Sequence, residues 1–349
     1  MARKVKIGLA GFGMSAQVFH LPFWRADGRF EVVRVFERST DRAHEKLPYA
    51  LTVREFTGLL ADDVDLVVIT TPNQTHFEFA KQALEAGKHV VVEKPLCATA
   101  AEAAELAALA EKQGVVLTVY QNRRWDSAPL TAKKLLAEGC LGEIVDCDIR
   151  FERYAEGLNK KRWKETGGAG VGLVYDLGVH LVDMAVDLFG MPAELYADVR
   201  YQHEGALSDD YFQIQLYYQN GKKVCLTAGK YMREAGPFFS LHGKRGSYVK
   251  HEADNQEALL VSGAAVKPGW NVESEAEQGI LHTVVNGEVV RCLIPSVSGD
   301  YGAFYRNLYQ VLHEGAGLAV TPIQVEKVLG LLEKAYQSAN SGKRLSVCG

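Results

Sequence analysis

Three short stretches of the chain carry residue types that can hold a nucleotide and move a proton. The first is Gly11-Phe12-Gly13-Met14-Ser15-Ala16, which follows the apolar run Val5–Ala10. In a strand–turn–helix setting, Gly11 permits the tight turn, Gly13 lets the backbone approach a pyrophosphate, and Ala16 lets the helix pack close to the strand. The pyrophosphate would rest on the free N–H groups of the helix N-terminus, so Gly11, Phe12, Gly13 and Met14 are read as cofactor-binding. Glu37 closes the next strand, at the spacing where a carboxylate accepts hydrogen bonds from the adenosine ribose and repels a 2′-phosphate. That favours NAD. Arg38 beside it either stacks on adenine or pairs with a 2′-phosphate, which leaves NADP open. The plainer alternative is that both are solvated residues at a strand end.

The second stretch is Thr70-Thr71-Pro72-Asn73-Gln74-Thr75-His76, followed by Val92-Glu93-Lys94-Pro95. Thr71 and Asn73 offer short polar groups to a ribose or carboxamide, and Pro72 stiffens the loop. His76 either touches the cofactor or is solvated, and Thr75 is expected to cap the following helix. A lysine before proline is confined to extended backbone or a cis bond, which directs Lys94 away from the strand end. Its ammonium can stabilise a developing alkoxide; alternatively it is a solvated lysine. The third stretch, Tyr175–Asp183, sets Asp176, His180, Asp183 and Asp187 at i, i+4, i+7 and i+11 on an otherwise apolar helix. Buried carboxylates are costly without partners. Asp176 and His180 are therefore read as candidates for chemistry, against the alternatives of an N-cap and a satisfied core histidine. Asp183 and Asp187 are read as structural.

These residues require a scaffold in which strand ends meet. Strands are expected at Val5–Ala10, Glu31–Phe36, Leu66–Thr70, His89–Glu93 and Val115–Tyr120. Capping boxes at Thr75-x-x-Glu78 and Thr99-x-x-Glu102 open the helices between them. Alternating strands and helices predict a doubly wound parallel sheet of the Rossmann type. After Asn122 the pattern changes to helix Leu130–Glu138 and strands near Ile144–Tyr154, Leu195–Tyr201, Tyr211–Tyr218, Lys223–Ala228, Phe238–His242 and Val289–Leu293. Asn220-Gly221 and Asn286-Gly287 signal hairpins. Helices Tyr301–Glu314 and Pro322–Ser341 follow. The expected architecture is α/β: a dinucleotide-binding domain over 1–122, then an α+β domain over 123–349 with a large open antiparallel sheet. Residues 253–277 give no readable pattern.

Composition narrows the function classes. With 47% hydrophobic and 23% charged residues and a net charge of −4, the chain reads as globular and lacks the basic surplus of a nucleic-acid binder. The basic Met1-Ala-Arg-Lys4 precedes an apolar run, but that run is short and broken by the glycines of the loop, so it is read as a strand. No segment has the length of a membrane span. Cys97, Cys140, Cys147, Cys225, Cys292 and Cys348 show no metal-ligand spacing. The expectation is a cytoplasmic protein without a structural metal.

Gly11-x-Gly13 with Glu37, Glu93-Lys94-Pro95, Asn122-Arg-Arg-Trp-Asp126 and Asp176-x-Gly178-x-His180, in this order along the chain, resemble the glucose–fructose oxidoreductase/inositol dehydrogenase (Gfo/Idh/MocA) family. Gln121–Asp126 and Val18-Phe-His-Leu-Pro22 are similar to its scyllo-inositol dehydrogenase branch. The resemblance implies a catalytic set of Lys94, Asp176 and His180, with Glu93 and Asn122 near the cofactor. It implies a substrate wall that includes Arg123, Arg124 and Trp163; surface or packing roles stay open for Arg124 and Trp163. The second domain's sheet would serve as substrate wall and oligomer surface, in a homodimer or homotetramer. The expected reaction is hydride transfer between nicotinamide and a secondary hydroxyl of a cyclic polyol or sugar. Glu37-Arg38-Ser39 departs from the Ser-Arg pair typical of NADP-using members. Two rivals stay open: a glycosidase using NAD for transient oxidation, and a non-catalytic dinucleotide sensor.

Overall fold

The structure, a computed structural model, describes residues 3–157 and 165–347. The chain forms two compact units: Met1–Asn122 with Glu257–Trp270 and Tyr301–Lys327, and Arg123–Gln256 with Asn271–Asp300 and Val328–Gly349.

In chain order the first stretch runs β1 (Val5–Ala10), α1 (Leu21–Asp27), β2 (Phe30–Phe36), α2 (Arg42–Lys46), β3 (Leu51–Val53), β4 (Leu66–Ile69), α3 (His76–Glu85), β5 (His89–Val92), α4 (Ala100–Gln113) and β6 (Leu117–Val119). The strands form one sheet in the order β3-β2-β1-β4-β5-β6, and every pairing is parallel. Every residue of β4 is buried, as is all of β5 except His89, as expected for strands covered on both faces. The order reverses between β1 and β4, which puts the ligand crevice of such sheets at the carboxyl ends of those two strands. Strand β3 was not expected: three residues on the sheet edge are too few to show a period.

Helix α4 begins with the expected capping box, Thr99 accepting from the Glu102 N–H. The one expected at Thr75 does not form. Instead the Thr75 hydroxyl donates to the Pro72 carbonyl at 2.8 Å and meets the Thr71 hydroxyl at 2.6 Å. A 3-10 turn over Asn73–Thr75 then leads into α3.

The second stretch comprises α5 (Ser127–Glu138), β7 (Ile144–Glu152), α6 (Val179–Phe189), β8 (Glu194–Arg200), β9 (Tyr211–Tyr217), β10 (Lys223–Gly229), β11 (Phe239–Gly243), β12 (Gly246–Lys250), α7 (Gln256–Val261), β13 (Gly279–Val285), β14 (Glu288–Ile294), α8 (Gly302–Glu314), α9 (Pro322–Ser341) and β15 (Leu345–Ser346). Nine strands pair in the order β14-β13-β12-β11-β7-β10-β9-β8-β15. The sheet is mixed rather than purely antiparallel, because β7 and β10 run parallel. Between them the chain passes through α6, β8 and β9, a crossover long enough to bring β10 back in the same direction. The β13–β14 hairpin turns on Asn286 (φ 53°) and Gly287 (φ 86°), the paired left-handed conformation of a type I′ turn. Strand β12 was missed because it opens on glycine and closes on Lys250. That lysine is fully buried against Glu273 at 2.8 Å.

Helix α8 accounts for the return of residues 301–327 to the first unit. Tyr305, Leu308 and Tyr309 lie at i, i+3 and i+4 and are buried. Tyr305 stands edge-on to Trp24 and Phe30. Burying such side chains contributes about 1.5–3 kcal/mol each. Among the described residues no helix is long and apolar enough to cross a membrane.

Candidate active site

At the switch point, the Thr70 hydroxyl lies 3.0 Å from each of the Ala10 and Gly11 carbonyls, tying β4 to the glycine loop. Gly11 has φ 88°, and a Cβ there would press on the Thr71 methyl at 3.2 Å, so a side chain is excluded twice over. Gly13 faces open space: a Cβ built on it meets nothing within 4 Å. This is the cradle a pyrophosphate requires, and the loop fits a dinucleotide. Phe12 is a core side chain, so only its backbone can serve a ligand, and Met14 is exposed. The loop leads into a wide π-turn, Ala16–His20, before α1.

Pro72 is exposed, and Thr71 and Asn73 are half-buried beside it. His76 corrects the sequence expectation. It is fully buried, with Nδ1 2.8 Å from the Pro95 carbonyl and Nε2 2.8 Å from the Thr71 carbonyl. Burial pushes its pKa down. It is neither solvated nor cofactor-facing; it holds two loops together. Asn122 is buried and opens a short 3-10 turn after β6.

Glu37 is the larger correction. Its side chain is buried. One oxygen accepts from the Thr40 hydroxyl at 2.6 Å and the other from the Ala43 N–H at 2.9 Å. The carboxylate thus serves the turn after β2 through one oxygen and the first turn of α2 through the other. Arg38, Ser39 and Thr40 are the exposed residues at the end of β2.

Glu93 and Lys94 follow β5, and the Lys94–Pro95 peptide is cis. Glu93 Oε1 accepts from the Ser15 hydroxyl and, at 2.9 Å, from His20 Nε2. Its Oε2 accepts from the Lys94 N–H at 3.1 Å. Burial works to raise this carboxyl, but the His20 and Ser15 hydrogen bonds and the Lys94 charge outweigh it and hold the pKa at about 2. Glu93 is thus joined to the glycine loop through the Ser15 hydroxyl. Sequence reasoning did not single out Ser15 and His20 as partners of Glu93. His20 stood in Val18-Phe-His-Leu-Pro22, noticed only as a family likeness, and Ser15 in the glycine loop.

In the second unit, Asp176 lies in a π-turn over Val174–Gly178, and His180 is in the first turn of α6. The expected single helical stripe is therefore interrupted: the wide turn changes the phase between Asp176 and the residues after it. Asp209 holds the turn, accepting from the Val174 N–H at 2.8 Å through its carboxylate and from the Leu173 N–H at 2.9 Å through its carbonyl. The Tyr336 hydroxyl donates to the same carboxylate at 2.5 Å. His180 is 5% exposed and Asp176 half-buried.

Arg124 has the packing partner that the sequence left open as its alternative. It is buried, and its Nε and Nη2 each donate to Asp183 at 2.7 Å. Asp187 lies 2.5 Å from Lys133. Asp183 and Asp187 thus have the structural partners expected of them. Arg123 is half-buried, 3.3 Å from Asp126 and over the Phe151 ring at 4.8 Å. Trp163 lies outside the described residues. Among the described residues no group of three His, Cys, Asp or Glu side chains could hold a metal ion.

Comparison with known proteins agrees with this geometry. Residues 5–121 match the oxidoreductase family's NAD-binding Rossmann fold, and residues 133–347 match its C-terminal alpha/beta domain. The chain is 36% identical to scyllo-inositol 2-dehydrogenase (NADP(+)) IolW of Bacillus subtilis, over 98% of this chain and 95% of that protein. It is 37% identical to the oxidoreductase YdgJ of Escherichia coli, whose activity is uncharacterised, over 100% and 99%. A Bacteroides fragilis crystal structure superposes with a TM-score of 0.90 at 44% identity, covering 99% of this chain and all of that one. An oxidoreductase from Bacillus cereus gives 0.89 at 32%, covering 98% of each. With a strand-end lysine, a glycine cradle at the switch point and both family models in sequence, the chain belongs to the Gfo/Idh/MocA oxidoreductase family.

Proposed function

We propose that the protein is an NAD(P)-dependent dehydrogenase that transfers a hydride between nicotinamide and a secondary hydroxyl of a cyclic polyol or sugar, inositol- or aldose-like. The observation that supports this most is Lys94, placed at the carboxyl end of β5 and joined through Glu93 to the dinucleotide loop. The family and the inositol dehydrogenase relative support the chemical class.

In this reading the first unit holds the dinucleotide on Gly11–Ser15, with Thr71, Pro72 and Asn73 beside it. The bound nicotinamide supplies the hydride acceptor. His180 takes the proton of the substrate hydroxyl, a role suited to an imidazole near neutral pH. The Lys94 ammonium stabilises the oxygen as it gains carbonyl character. Asp176 contacts the substrate or orients His180, and Arg123 contributes to the substrate wall. We read the cofactor preference as NADP: Glu37 is committed to α2 and exposed Arg38 is left to meet a 2′-phosphate. The relative's name carries the same cofactor.

The test is a panel of inositols, aldoses and sugar acids, each assayed with NADP and NAD for absorbance of the reduced cofactor. Reduction with a polyol or sugar is the expected result. Glycoside hydrolysis without net cofactor change would replace this reading with the glycosidase. Dinucleotide binding with silence across the panel would favour the sensor. Light scattering tests the proposed homodimer or homotetramer.

A further inference from the structure

We propose that Glu93 is a positioning residue through which the dinucleotide loop and Lys94 act on one another, so that the loop's conformation and the lysine's backbone are set together. The inference rests on the reading that Gly11–Ser15 holds the dinucleotide and Lys94 serves the chemistry.

The hydrogen bonds run in one direction. Burial raises the Tyr305 hydroxyl well above its ordinary value, so it keeps its proton and donates to His20 Nδ1. A carboxylate only accepts, so His20 Nε2 carries the proton shared with Glu93 Oε1. The Ser15 hydroxyl reaches that same oxygen, and the Lys94 N–H takes the other. Each polar atom in this chain is satisfied in a single tautomer, with the carboxylate as the common acceptor.

The placement of the donors carries the argument. Ser15 lies two residues beyond Gly13, in the segment a pyrophosphate must touch. His20 ends the π-turn that follows, an inserted turn of the kind that collects at functional sites. Lys94 is the residue next to Glu93. A movement of the loop that withdraws Ser15 removes a donor from Oε1, and the same carboxylate holds the lysine's peptide through Oε2. A glutamine of equal size cannot replace it, because its amide nitrogen would face one of these donors. Coupling of this kind is reciprocal: a loop held for the dinucleotide holds the lysine, and the converse.

NADPH is titrated by fluorescence into the wild-type chain, Ser15→Ala, Glu93→Gln and the double variant, at a temperature where melting curves show all four folded. Glu93→Gln is expected to weaken NADPH binding roughly 10-fold, the scale of lost hydrogen bonds to a charged group. Ser15→Ala should weaken it less, and the double variant no further than Glu93→Gln alone, because Ser15 acts through the carboxylate. At saturating NADPH, kcat of Glu93→Gln should stay well below wild type, since Lys94 is no longer held. A role confined to stability moves neither quantity while the chain is folded, and a role confined to the loop lets kcat recover. NADPH affinity equal to wild type in Glu93→Gln, additive losses in the double variant, or full recovery of kcat each overturns the proposal. A wild-type chain that binds neither NADPH nor NADH overturns the function itself, a separate result.

Discussion

Arg124 grips both carboxylate oxygens of Asp183 at 2.7 Å in a pair almost closed to solvent. The sequence reading offered this arginine to a substrate; the structure commits it to the helix that carries His180. Burial drives the Asp183 carboxyl up, even against the charge of Arg124. Each partner therefore depends on the other, and truncating either leaves an uncompensated buried charge. Arg124→Ala should cost about 3–5 kcal/mol, seen in denaturant melts. An effect on substrate KM alone, with unchanged stability, would return Arg124 to the substrate wall.

Lys94→Ala and His180→Ala should each lower kcat by roughly 10²–10⁴-fold, the range for a general acid–base group. NADPH affinity should stay largely intact. Full turnover in either variant would refute the roles given to them.

Arg38→Ala should weaken NADPH more than NADH, and the comparison of the two affinities is the measurement. Glu37→Ala should instead destabilise the chain by about 1–2 kcal/mol, as loss of a helix-start acceptor does, and weaken both dinucleotides alike. A selective loss of NADH in Glu37→Ala would restore the ribose role to Glu37.

Gly172 has φ 92°, and a Cβ there would run into the Asp209 carboxylate. Gly172→Ala should displace that carboxylate from the Val174 N–H and disturb the turn carrying Asp176. A fall in melting temperature together with a fall in turnover is expected; wild-type values for both would show that the turn does not depend on Asp209.

Asp254 accepts from the Ser127 N–H at 2.7 Å. Burial and then the neighbouring Asp126 charge raise its pKa from 3.8 to about 7. The folded chain therefore holds a proton that the unfolded chain releases. This contribution is complete below about pH 4 and lost as pH rises through about 7, a span of at most about 4 kcal/mol. Asp126→Asn removes the like charge and should flatten the decline. Melting temperatures from pH 5 to 8 decide; a flat wild-type profile would contradict it.

Where a pattern is local, the sequence was enough. Continuous apolar runs marked β4 and β5, Thr99 and Glu102 marked the start of α4, and Asn286-Gly287 marked a hairpin. The glycine loop was legible for the same reason, since its small residues are demanded by the turn in which they stand. Periodicity failed at β3 for want of length, and at β12 because a lysine ends it whose buried partner, Glu273, lies 23 residues on. It failed again at Asp176, where the π-turn breaks the helical count.

Glycine placement, apolar runs and the order of motifs thus determined the two folds and the family, because each is a property of the chain over a turn or two. Tertiary structure alone decided what the polar side chains do. It withdrew Glu37 to α2, Arg124 to Asp183 and His76 to two carbonyls, and it brought Ser15 to Glu93 and His20 to Tyr305 across 78 and 285 residues of chain. The physical reason is burial. A polar group taken out of water must find a partner wherever the fold supplies one, and that partner is chosen by packing rather than by proximity in sequence.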